Sequence, residues 1–319
     1  MKKFRLLLRL FAILSAFMAV SVCSPTVDRL TSYSTADGLV SNYVYVIAEA
    51  PDGAVWFGTK EGLSRFDGKS WETYTEADGL VYDHVYAIAV APDGAMWFGT
   101  GDGVSRFDGE NWASYTPADG LGHFRTYSIV VAEDDAIWFG TWGGATRFDG
   151  ENWNTYTVSD GMSGTYVHSI AVAPSGTLWF GTLSGASCFD GKKWTIYTTA
   201  DGLAGDWVHS IVVASDGTVW FGTDKGVSRF NGEVWASYTS TDDLANDWIN
   251  SVVIAPDNTI WIGAGVLSLA GGASRFDGNR WVSIDTLQGS VVNDVFVAST
   301  GDVWFGTWGN GVLRLSPPE

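Results

Sequence analysis

From about residue 30 to residue 316 the chain is a succession of short apolar or alternating segments, each closed by Gly, Asp, Pro or Ser. Between 167 and 207 these segments read VHSIAVA, TLWFGT, GASCFDG and KWTIYT. Alternation and brevity are those of β-strands, and no segment has the length or 3.6-residue period of a helix. Pro-Ser-Gly or Pro-Asp-Gly joins the first two segments and Asp-Gly the last two, both suited to tight hairpins that need a positive φ.

The same unit is written seven times. WFGT begins at Trp56, Trp97, Trp138, Trp179, Trp220, Trp261 (as WIGA) and Trp304, a spacing of 41 residues five times and then 43. Four antiparallel strands in about 40 residues make one propeller blade. The last copy stops at its third strand, Gly311 to Ser316, while an orphan fourth strand, Leu30 to Thr35, precedes the first complete unit. Pairing the two ends would leave no open edge. The predicted fold is therefore all-β: one seven-bladed β-propeller of four-stranded antiparallel blades, closed by an N-terminal outer strand that completes the last blade. A monomer is expected.

The pattern W-x-x-Y-T-x-x-D-G-L, then V-x-x-I, D-G-x-x-W-F-G-T and G-x-S-R-F-D-G, resembles the two-component regulator propeller repeat over residues 30–316. In that family such repeats build extracytoplasmic sensing domains of hybrid histidine kinases, many tied to polysaccharide use. The resemblance thus implies an extracytoplasmic ligand-binding or sensing module. It reaches no kinase, receiver or regulator domain within these 319 residues.

Residues 1–23 are of different material. Lys2, Lys3, Arg5 and Arg9 precede an apolar run from Leu10 to Val22, shorter than a membrane span and placed like the core of a secretory signal. A secreted or periplasmic chain is expected, with the propeller occupying 24–319. Val20-Ser21-Val22-Cys23 resembles a lipoprotein box that would lipidate Cys23 and supply the only membrane contact. Val22 departs from that box, where Gly, Ala or Ser is usual, and cleavage after Ser21 is the rival reading. Removing the segment leaves 14 basic residues against 36 acidic, a net charge of −22. Such a surface repels phosphate backbones, which argues against nucleic acid and for neutral or cationic ligands. Cys188, where five other copies carry Arg65, Arg106, Arg147, Arg229 and Arg275, has no partner for a disulfide framework and reads as a small buried residue.

Comparing the copies separates residues the blades require from residues that are available. Of 17 tryptophans, seven begin the WFGT strands and six begin outer strands (Trp71, Trp112, Trp153, Trp194, Trp235, Trp281). The remaining four are Trp142 and Trp308, after the second strand, and Trp207 and Trp248, just before the first. Because strands alternate in direction, both places emerge on one face. The position of Trp207 and Trp248 runs Tyr43, His84, Arg125, Tyr166, Trp207, Trp248 and Val291 around the ring. A variable aromatic rim over a constant scaffold suits a binding funnel, with glycan C–H faces a natural match for indole and phenol rings.

Other series point to structure. The repeated Asp of Asp-Gly-Leu (Asp37, Asp78, Asp119, Asp160, Asp201, then Asp242) reads as a turn acceptor, and no copy has a calcium-loop spacing. His168 and His209 share the second position of the innermost strand with Tyr45, Tyr86, Tyr127, Asn250 and Asn293, and a hydrogen-bonding ring along the channel is expected there. No metal or cofactor is expected. The sixth unit carries an insertion, Gly265 to Gly272, and a short connection after it. There is no G-x-S-x-G elbow, HExxH or phosphate loop, so a non-enzyme is expected. Two alternatives stand beside glycan binding: a protein-interaction scaffold at the cell envelope, and an enzyme resembling streptogramin lyases, also seven-bladed propellers, with His168 and His209 as its suspects.

Overall fold

The structure, a computed structural model, describes residues 29–267 and 269–317. The segment 1–23 expected to be a secretory signal, Cys23 included, lies outside the described residues. Seven four-stranded antiparallel sheets follow one another: blades 1 to 6 occupy 44–74, 85–115, 126–156, 167–197, 208–238 and 249–283. Blade 7 joins Arg29–Tyr33 to Val312–Ser316, Val303–Thr307 and Val292–Val297, in that order. The clasp runs in full register from Arg29↔Ser316 to Tyr33↔Val312, so both ends of the described chain close one blade. Neighbouring blades meet through their first strands, which places these innermost.

The second strand is the core of each blade. All five residues of Val55–Thr59, and of its counterparts in the other six blades, are buried. Trp56 stacks on Tyr74 of its own outer strand at 5.2 Å and meets Phe98 and Phe107 of the next blade at 5.4 and 6.4 Å. This relay of aromatic contacts recurs from blade to blade, and such pairs contribute beyond the area they bury. The glycine of WFGT makes it possible: a Cβ on Gly99 would lie 2.9 Å from both Cγ2 and the carbonyl oxygen of Thr126, in blade 3.

The Asp-Gly-Leu turns are structural. Asp37 accepts hydrogen bonds from the Ser34 N–H and hydroxyl at 2.8 and 2.9 Å, and Asp78, Asp119, Asp160, Asp201 and Asp242 do the same with a Thr three residues earlier. Gly38, at φ 117°, lies against the Trp71 ring, and Leu39 behind it is 2 % exposed.

Two expectations change. The insertion in blade 6 is largely strand rather than loop, extending its second and third strands to Ile260–Val266 and Leu269–Phe276, with Leu267 exposed at the tip. Cys188 is half-buried, not buried. It occupies the position whose arginines bind a turn carboxylate elsewhere: Arg65 to Asp52, Arg106 to Asp93 at 2.7 Å, Arg147 to Asp134 at 2.7 Å. Blade 4 has lost both members together, carrying Ser175 where those carboxylates stand. In blade 7 the acid has moved two residues along the turn, and Asp302 still reaches Arg314 at 2.7 Å.

Candidate functional site

Each first strand of the propeller carries a β-bulge at the same place. In blade 1 the register passes from Val44↔Thr59 to Val46↔Gly58, leaving Tyr45 as the extra residue, and the same slip occurs in all seven blades. A bulge re-aims its residue, and here it takes that side chain out of the ladder. The residues so placed are Tyr45, Tyr86, Tyr127, His168, His209, Asn250 and Asn293.

These seven form an inner tier. Centroid distances run Trp308–Tyr45 5.7 Å, Tyr45–Tyr86 5.2 Å, Tyr86–Tyr127 5.2 Å, Tyr127–His168 5.0 Å, His168–His209 5.4 Å and His209–Trp248 5.0 Å. Where blades 6 and 7 interrupt the rings, Asn250 donates to the Val292 carbonyl at 3.0 Å and Asn293 to the Val44 carbonyl at 2.8 Å. The expected hydrogen-bonding ring is thus mainly a run of aromatic contacts, tilted between the tyrosines, stacked at Tyr127–His168 and edge-on at His168–His209. His168 and His209 are in fact unsatisfied, since the Nε2 atom of each is sealed from solvent with no partner. Burial pushes the His168 imidazole down to about 4, and burial together with His168 pushes His209 down to about 3. Burial also pushes the Tyr45 hydroxyl up to about 12 and raises Tyr86 and Tyr166, so the phenols remain donors at neutral pH.

The rim lies one residue before each first strand. Lys60, Gly101, Trp142, Asp224, Gly265 and Trp308 donate their backbone N–H groups to the carbonyls of Tyr43, His84, Arg125, Trp207, Trp248 and Val291 at 2.8–3.2 Å. These bonds tie the two kinds of connection together on one face, where the sequence placed the surplus tryptophans. Two rim clusters result. In one, Trp207 and Trp248 meet at 5.0 Å and both contact His209. In the other, the Arg125 guanidinium lies 4.5 Å from the centre of the Trp142 ring, whose edge meets Tyr166 at 5.2 Å. Tyr43 and Trp308 pair separately at 5.5 Å, with Lys60 over Tyr43, and His84 packs on Tyr82 at 5.2 Å. Trp207 and Trp248 are half-buried, whereas Trp142 is 43 % exposed.

Comparison of the sequence copies leaves Tyr45, Tyr86 and Tyr127 out of the site, and it also misses Phe124 and Tyr82, exposed beside it. On the opposite side the blades are separated by open grooves of about 400 Å³, one of them lined by Trp56, Tyr74 and Phe107 with Asp52 and Arg65 at its mouth. Among the described residues no cluster of three or more His, Cys, Asp or Glu side chains is placed to hold a metal, and no helix is long and apolar enough to cross a membrane.

A closed ring of seven such blades, with a variable aromatic face, defines a seven-bladed β-propeller domain. The family profile described as a two component regulator propeller matches four segments of the chain, residues 38–61, 79–102, 161–184 and 202–225. No curated protein matches the chain. Among solved structures it resembles the extracellular domain of a B. thetaiotaomicron protein described as a hybrid two component system, with 21 % identity, a TM-score of 0.73 and 90 % of this chain covered. The chain spans 41 % of that neighbour's length. It also resembles a streptogramin B lyase, with 17 % identity, a TM-score of 0.72, and 91 % of this chain and 97 % of that one covered. YCF48 bound to D1 peptide matches at 14 % identity and a TM-score of 0.66, over 91 % and 97 % of the two chains. At these identities the likeness concerns the fold.

Proposed function

We propose that this propeller is an extracytoplasmic ligand-binding module, not an enzyme, and that its ligand is a glycan held on the aromatic face. The observation that carries this reading is the two-tier arrangement: rim rings of varied identity stand over an inner tier of five rings and two asparagines, each held by an equivalent bulge. Flat rings with fixed orientation give a sugar apolar surface at little entropic cost, and the phenols and Arg125 supply hydrogen bonds. The proposed location follows from the signal-like segment 1–23, with Cys23 as the lipid anchor. The extracellular propeller domains among its structural neighbours support the same placement.

Against the enzyme reading, the Nε2 atom of each suspected histidine is sealed from solvent, which leaves proton transfer to a substrate to Nδ1 alone. The scaffold reading draws on a specific observation: Tyr82, Phe124, Trp142, Leu183 and Leu267, large and exposed, all belong to connections on this face. The experiment is a glycan array and a thermal-shift screen on residues 24–319, with Trp142→Ala and the Trp207→Ala/Trp248→Ala pair alongside. A glycan hit weakened in folded variants supports the proposal. Capture of an envelope protein with no glycan response would transfer the face to the scaffold reading.

A further inference from the structure

The propeller carries a large net negative charge, and four of its blade arginines are spent on carboxylates: Arg65, Arg106, Arg147 and Arg314 each bind an aspartate in a turn. Arg229 and Arg275 lie over the Trp220 and Trp261 rings of their own blades at 5.7 and 5.9 Å. Arg125 differs. It stands exposed on the rim, and among the described residues it forms no ion pair. Its guanidinium is held instead by neutral groups: the Trp142 ring at 4.5 Å on one side and the neighbouring Tyr127 hydroxyl, whose interaction raises the guanidinium's pKa. Tyr166, perpendicular to Trp142, also meets Tyr127 at 5.2 Å, so the support for Arg125 spans blades 3 and 4.

A guanidinium over a ring face keeps five N–H donors, more than the Tyr127 hydroxyl takes up, and its fork matches a carboxylate bidentately. The rest of the indole, 43 % exposed, lies beside it. A fork next to a flat apolar surface has the shape of a hexuronate, whose carboxylate projects from the edge of a ring with C–H faces. An acidic peptide brings the same charge on a flexible stem with no ring to set against Trp142. We infer that the Arg125 and Trp142 corner binds the carboxylate of an acidic sugar, so that the ligand of the aromatic face is a uronate-containing glycan. The inference rests on the glycan reading and narrows it. It also reverses locally what the net charge of −22 suggested, because a bidentate contact acts at closer range than a field screened over about 10 Å.

The test is calorimetric titration of residues 24–319 with oligogalacturonate, oligoglucuronate and oligomannuronate, each paired with its neutral methyl ester. Arg125→Gln and Arg125→Lys are titrated in parallel, and unchanged melting shows that they fold. The expected result is at least tenfold tighter binding of one acid form over its ester. Arg125→Gln abolishes that preference, and Arg125→Lys, keeping charge without the fork, retains only part of it. Equal binding of acid and ester, or a preference that survives Arg125→Gln, overturns the inference and leaves the glycan reading standing. So does an acidic peptide competing through Arg125 while no uronate binds. Absence of every glycan, neutral ones included, removes the underlying reading instead.

Discussion

Replacing His168 and His209 together by Asn, the residue that blades 6 and 7 already use at this position, should make the propeller resistant to mild acid. Both imidazoles are depressed in the folded state, to about 4 and about 3 against an ordinary 6.5. A folded pKa below the unfolded one means that the unfolded chain binds more protons, so stability is full above about pH 6.5 and is lost as pH falls toward 4. Between pH 7.5 and pH 5 each imidazole forfeits about 2 kcal/mol, or about 4 kcal/mol for the pair, because a tenfold difference in proton affinity between the two states is worth about 1.4 kcal/mol. Asp294 works the other way. Enclosed between blades 6 and 1, it accepts from Ser251 Oγ and the Ile47 N–H, both at 2.8 Å, and burial pushes its carboxyl up to about 6. Protonating it returns about 1 kcal/mol over the same interval. The assay is urea unfolding of wild type and the double variant at pH 7.5 and pH 5. The difference between their pH-dependent losses should be near 4 kcal/mol, a value worked from the two histidines alone because Asp294 is common to both proteins. A wild type equally stable at both values, or a variant that loses as much as wild type, would refute the buried neutral pair.

Two further outcomes follow from the blade contacts. Gly99→Ala forces a Cβ to within 2.9 Å of Thr126 and should cost about 1–3 kcal/mol in unfolding free energy, as overpacking does; an unaltered urea midpoint would mean the blades have slack between them. Arg106→Cys with Asp93→Ser reproduces blade 4, and because the Asp93 side chain is 57 % exposed the pair should cost less than about 1 kcal/mol, the double variant being no worse than either single one in the same assay.

The fold was legible because its instructions are local and repeated seven times. Strand length, the turn residues and the unpaired end segments sufficed to pair Leu30–Thr35 with Gly311–Ser316, and the strands that form are Arg29–Tyr33 and Val312–Ser316. The rim was legible for the same reason: residues such as Trp142 and Trp207 stand out only when copies are compared. What escaped was the aromatic character of the inner tier, read only as a hydrogen-bonding ring along the channel. Tyr45, Tyr86 and Tyr127 recur often enough to look like scaffold, and the bulge that frees them hides in spacing. Val44 and Ile47 are both buried, as are Val167 and Ile170, three residues apart where an unbroken strand would alternate by two. That offset was readable in principle. Blade 4's paired loss of Arg and Asp was not, because the partners stand 13 residues apart and meet only across a hairpin.

The most direct measurement of the central claim is a crystal structure of residues 24–319 with the strongest glycan from the array. The account predicts the sugar on the variable face, its ring against Trp142 or the Trp207 and Trp248 pair. Density in the grooves lined by Trp56, Tyr74 and Phe107 on the other side, with the rim unoccupied, would contradict it.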